Sequence, residues 1–117
     1  HLSDDFVMYS GNDDMVVPLL ALGAKGVISV WANVAPATVH GMVTDWMEGR
    51  TDAALAIQLA SLDLIDALFC EVNPIPVKAA LEKMGYGRAI YRQPLGRISQ
   101  TADSRLTMAM EEAGLIG

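Results

Sequence analysis

Lysine, cysteine and aspartate are the side chains through which this sequence could do chemistry, and they are thinly spread. A lysine amine becomes a Schiff-base nucleophile when burial or a cationic neighbour lowers its pKa. Lys25 falls in the turn ahead of an apolar run, at the wrong end of a strand for a barrel active site. Lys78 and Lys83 fall on a helix, and all three read as solvated surface amines. Cys70, the single cysteine, ends an apolar helical stretch and reads as a packed thiol rather than a nucleophile. His1 and His40 are the two histidines and stand far apart, so no zinc-ligand spacing exists and no metal is expected. His40 reads as a surface or interface residue. Asp13 and Asp14 close the run Ser10-Gly11-Asn12-Asp13-Asp14 at the carboxyl end of an apolar segment. Carboxylates there either favour a helix start or line a pocket, and the residues alone favour the helix start. No glycine-rich phosphate loop is present.

The elements that must position these groups follow from patterning. Residues 6–9 (FVMY) and 26–31 (GVISVW) are apolar on both faces and read as buried parallel strands. Between them a helix is expected from Asp14 to about Leu22, capped by Asn12 or Asp13 and stopped at Gly23. Residues 32–36 form an exit loop. Helices are then expected over about 37–48, 51–71, 74–84 and 102–113. The long one carries Leu55, Leu59, Leu62, Ile65 and Phe69 on one stripe and Ile57, Leu64 and Leu68 on another. A helix apolar on two sides is buried on both or serves an interface. Asn73 reads as an N-cap, with Pro74 and Pro76 in the first turn, where missing N–H groups cost little. Strand–helix–strand implies one βαβ unit, and two such strands cannot close a sheet by themselves.

Composition narrows the classes. The chain has 117 residues, 52% of them hydrophobic, enough for a core and too many for disorder. Its formal charge is −6, with eight basic residues dispersed, which excludes an electrostatic nucleic-acid binder. One cysteine excludes a disulfide scaffold, and a cytoplasmic location is expected. Between Met15 and Val43 the only formal charge is Lys25, but Gly23, Gly26, Asn33, Pro36 and Gly41 break the run, so no membrane span is expected. His1-Leu2 resembles neither an initiator nor a signal region, and the chain is expected to begin inside a longer polypeptide.

Several runs together resemble the dihydrodipicolinate synthase family. They are Tyr9-Ser10-Gly11-Asn12-Asp13, Leu22-Gly23-Ala24-Lys25-Gly26-Val27-Ile28-Ser29-Val30, Ala32-Asn33-Val34-Ala35-Pro36 and Glu71-Val72-Asn73-Pro74-Ile75-Pro76-Val77-Lys78, followed by Arg92-Gln93-Pro94-Leu95 and Gly114-Leu115. The resemblance implies an α/β fold: the last two βα units of a (β/α)8 TIM barrel over residues 1–50, then a C-terminal helical domain over 51–117. It implies a lyase condensing pyruvate with aspartate semialdehyde in lysine (diaminopimelate) biosynthesis, with no cofactor and as a homo-oligomer. The Schiff-base lysine would lie on strand six, upstream of His1, so no catalytic residue is expected in this chain and the fragment alone is expected to be inactive. Gly11, Asn12 and Asp13 match the strand-seven loop, and Ile28 matches the position whose backbone carbonyl borders pyruvate. Two departures stand out: Trp31 where the family has a small residue, and Asn12 where it has Asp. A sibling aldolase, such as N-acetylneuraminate lyase, and a non-catalytic helical assembly module are the alternative readings. An upstream coding region holding a barrel lysine would separate enzyme from module.

Overall fold

The computed structural model describes residue 3 and residues 5–117. His1, Leu2 and Asp4 lie outside the described residues, and with His1 goes one of the two histidines considered above.

Residues 8–10 and 25–28 run side by side in parallel. The Lys25 N–H donates to the Met8 carbonyl, the Ser10 N–H to the Gly26 carbonyl and the Ile28 N–H to the Ser10 carbonyl, each at 2.8 Å. Ser10 and Val27 form the bridge pair. This pair is shorter than the strands expected over 6–9 and 26–31. The second segment ends early because Val30 turns helical (φ −74°, ψ −43°) and Trp31–Asn33 forms a 3-10 turn. The Asp13 carboxylate accepts from the N–H groups of both Val30 (3.0 Å) and Trp31 (2.9 Å), so neither can serve a ladder. Trp31 is only 1% exposed, buried in the helical core rather than on a strand.

A 3-10 turn, Asp13–Met15, leads into helix α1 (Val16–Ala21). Gly23, at φ +100°, reverses the chain after it, as its position predicts. Helix α2 (Pro36–Met47) starts on proline, whose missing N–H would have had no partner there. The expected helix over 51–71 is two helices, α3 (Thr51–Ala60) and α4 (Leu62–Leu68). The Ser61 hydroxyl donates back to the Ile57 carbonyl at 2.8 Å, and the Ser61 N–H reaches Gln58 rather than Ile57. Such a back-bonded serine bends a helix.

Helix α5 (Ile75–Lys83) begins one residue later than an Asn73 cap requires. The Pro74 carbonyl accepts the first helical bond, from Lys78 N–H at 3.2 Å, and Asn73 supplies no side-chain cap. Helix α6 (Gln100–Glu112) starts two residues before the expected position, because Ser99 caps it by accepting from Ala102 N–H at 3.3 Å. Among the described residues no helix is long and apolar enough to cross a membrane.

One buried apolar cluster runs from Val16 through Trp31, Met42 and Leu68 to Leu106 and Met110. The α3–α4 face turned into it is Ala54, Gln58, Ile65 and Leu68, while Leu55, Leu59, Leu62 and Phe69 remain exposed. Of the two stripes expected on this stretch, the leucine stripe therefore lies largely outside. Phe6, Val7, Tyr9 and Ile28 are exposed as well, so the parallel pair leaves an apolar surface uncovered.

Candidate functional site at the end of the parallel pair

Ser10 organises the carboxyl end of the first extended segment. It is 1% exposed; its hydroxyl donates to the Asn12 carbonyl at 2.8 Å and accepts from the Asn12 N–H at 3.1 Å. That local ring fixes Gly11 and Asn12, both exposed, beside Ile28 across the pair. Ile28 is 74% exposed, and among the described residues no N–H donates to its carbonyl. Asp13 differs from its neighbours. It is buried, and its Oδ2 caps the Trp31–Asn33 turn, the helix-start role that residue chemistry favoured, though for a turn 17 residues further along the chain. Its Oδ1 is also buried, without a hydrogen-bond partner among the described residues.

Behind the loop stands Gln58, buried in α3. Its Nε2 donates to the Asp13 carbonyl at 2.9 Å, and its Oε1 accepts from the Val17 N–H at 3.1 Å. Sequence reasoning missed this residue. The available signal was a face of small or polar residues, Ala54, Gln58 and Ser61, recurring at helical spacing between the two leucine-rich stripes. In front of the loop lies a pocket of about 470 Å³, walled by Asn12, Asp13 and Asp14 on one side and by α4 on the other. Its α4 wall carries Leu62, Asp63, Asp66 and Phe69, and Asp66 pairs with Arg105.

The lysines are elsewhere. Lys25 and Lys78 are exposed; Lys78 Nζ donates to the Ile90 carbonyl at 2.8 Å, and Lys83 Nζ pairs with Asp103 at 2.9 Å. His40 is exposed on α2. Cys70 is half-buried, and burial pushes its thiol upward, away from the thiolate a nucleophile requires.

Two parallel extended segments pass at their carboxyl ends into helical turns, and polar groups gather there, an arrangement of the α/β kind. The dihydrodipicolinate synthetase family model matches residues 1–113, and the chain belongs to that family. It is 50% identical over 112 residues to the 4-hydroxy-tetrahydrodipicolinate synthase of Acetivibrio thermocellus, covering 96% of this chain and 38% of that protein. The crystal structure of dihydrodipicolinate synthase from Thermotoga maritima superposes with a TM-score of 0.94 at 39% identity, covering 96% of this chain and 38% of that one. The chloride-inhibited enzyme from Acinetobacter baumannii, solved in complex with pyruvate, superposes at 0.90 with 36% identity, over 95% of this chain and 38% of that one. The chain thus spans about 38% of the length of the relatives it matches.

Proposed function

We propose that these residues are the C-terminal portion of a lyase that condenses pyruvate with aspartate semialdehyde through a lysine imine, in lysine biosynthesis. Residues 1–50 supply the last two βα units of its barrel, and 51–117 its helical domain. The acting lysine sits on an earlier strand, outside this sequence, and the complete enzyme is a homo-oligomer. Gly11, Asn12 and Asp13 form one wall of the substrate site, and the Ile28 carbonyl borders pyruvate. Asp13 contributes through its backbone and its hold on residues 30 and 31, since its carboxylate is already engaged there.

The observation that carries this reading is the register of the parallel pair. It sets the undonated Ile28 carbonyl at the strand end, beside the Ser10–Asn12 ring, where barrel enzymes bind substrate. The exposed apolar surface of Phe6, Val7, Tyr9 and Ile28 fits the cover that neighbouring barrel strands and helices would provide. A relative carrying the same segment was solved with pyruvate.

Borohydride reduction of the complete polypeptide in pyruvate, followed by peptide mass spectrometry, tests the proposal. One stoichiometric adduct is expected, on a lysine outside these 117 residues. An adduct on Lys25, Lys78 or Lys83, or none anywhere, would overturn it. The isolated 117-residue chain is expected to give no adduct.

A further inference from the structure

We propose that Gln58 is a positioning residue: it sets the loop at residues 11–13 for the second, aldehyde substrate and leaves the pyruvate contact at Ile28 alone. The proposal rests on the function argued above and assigns a residue that the family resemblance did not point to.

The case begins with burial. Gln58 is 3% exposed, and a primary amide taken out of water needs partners at both ends. Its partners are two backbone groups on another element, the Asp13 carbonyl and the Val17 N–H. Val17 lies in the first turn of α1, where N–H groups have no intrahelical acceptor. Gln58 supplies that acceptor from α3 and, with the same amide, holds the turn that leads into α1. A leucine would fill similar space and leave both backbone groups unpaired. The sequence therefore places a polar side chain in the core at a point where the helical segment grips the loop.

That grip is directional. The loop at 11–13 has three anchors: the Ser10 hydroxyl at its front, on Asn12, the Asp13 carboxylate on the Val30 and Trp31 N–H groups, and Gln58 at its rear, on the Asp13 carbonyl. Ile28 has a separate support, since its N–H is held by the Ser10 carbonyl and Ser10 N–H is held in turn by Gly26. None of those bonds involves Gln58. Releasing Gln58 should loosen residues 12–17 while the register of 8–10 against 25–28 persists. With pyruvate at Ile28, the exposed front of the loop at Gly11 and Asn12, one segment over, would border the space left for the aldehyde, while its other side faces the pocket toward α4.

The experiment compares the complete polypeptide with its Gln58→Leu and Gln58→Glu variants. For Gln58→Leu, KM for the aldehyde should rise roughly tenfold, short of the about hundredfold that a 1 Å misplacement can cost. KM for pyruvate and the rate of borohydride-trapped imine should stay within about twofold, because no contact to pyruvate changes. Gln58→Glu keeps an acceptor for Val17 and loses the donor to the Asp13 carbonyl. Its defect should be smaller and should shrink further as pH falls, since a protonated carboxyl can donate again. Equal changes in both KM values, no change in either, or loss of imine trapping would overturn the proposal. Should the leucine variant fail to fold, the glutamate variant decides by the same split. A wild-type protein that forms no imine would instead refute the functional reading. Gln58 is then judged by hydrogen exchange of the Gln58→Leu variant, in which Asn12 and Val17 amides should exchange faster while Ser10 and Ile28 do not. Equal acceleration at all four would sink the positioning role.

Discussion

The parallel pair and the helical segment treat the same kind of residue in opposite ways. In the extended segments at residues 6–10 and 25–28, large apolar side chains such as Phe6, Tyr9 and Ile28 face outward, while Ser10 and, in the loop after it, Asp13 are buried. From α4 to α6 the order is the ordinary one: Leu64, Leu68, Leu106 and Met110 are inside, and the charges of Asp66, Arg105 and Lys83 pair at the surface. Removal of apolar area from water drives folding, so a segment built inside-out holds its shape by other means. Here those means are hydrogen bonds to backbone: Ser10 on Asn12, Asp13 on Val30 and Trp31, Gln58 on Asp13 and Val17. Polar scaffolding fixes loop geometry, and the uncovered apolar surface is the part a surrounding barrel would use.

The largest expected effect separates the two kinds of leucine on one helical stretch. Leu68 is fully buried at the end of α4, and Leu68→Ala should cost about 2–5 kcal/mol in urea unfolding of the complete polypeptide. Leu59 is 58% exposed on α3, and Leu59→Ala should stay within about 0.5 kcal/mol if that face meets water. A core-sized cost at Leu59 would mean that a partner surface covers the leucine stripe, as a homo-oligomer could.

Next in size is the polar scaffold. Asp13→Ala removes the acceptor for two N–H groups and should cost ~1.5–3 kcal/mol, the range for hydrogen bonds to charged groups. Amide exchange should accelerate first at Val30 and Trp31. If stability falls with no local change there, the carboxylate is not what ends the second strand.

Ile28 tests the cover itself. In the isolated chain Ile28→Val should be nearly silent, because the side chain is 74% exposed. In the complete polypeptide the same substitution should cost ~0.5–1.5 kcal/mol, the usual figure for a buried Ile→Val. Equal effects in both settings would remove the argument for a barrel around this pair.

The helices were largely legible because their signals are local. Gly23 marks its turn, Pro36 opens α2, and the apolar spacing locates α5 and α6 to within two residues. Three features were not legible, two of them for want of a local cause. The second strand ends where Asp13, 17 and 18 residues away in sequence, captures two N–H groups. Helix α3 breaks from α4 because Ser61 bonds backward, which its neighbours do not announce. Gln58 drew no expectation, since the partners that bury it lie 41 and 45 residues away. In the candidate site, Gly11, Asn12, Asp13 and Ile28 came from resemblance to known runs, whereas Ser10 and Gln58 emerged only from contacts.

The smallest effect concerns the edge of the helical core, at Cys70 just past the end of α4. Burial pushes its thiol up; Arg105 pulls it back down, and Glu71 adds to the rise. A thiol raised in the folded state favours the protonated form there. Its contribution to stability is complete below the unfolded thiol's pKa, about 8.5, and is lost as pH rises through the folded value. Iodoacetamide reacts with thiolate, so the alkylation profile reads this directly. The native protein should be labelled more slowly than urea-unfolded protein at pH ~8.5, with its midpoint at higher pH. Arg105→Ala, by removing the neighbour that favours the anion, should move the native midpoint higher still. A native midpoint at or below the unfolded one would mean that the core does not reach Cys70, and the boundary between the two regions would have to be drawn earlier, within α4 itself.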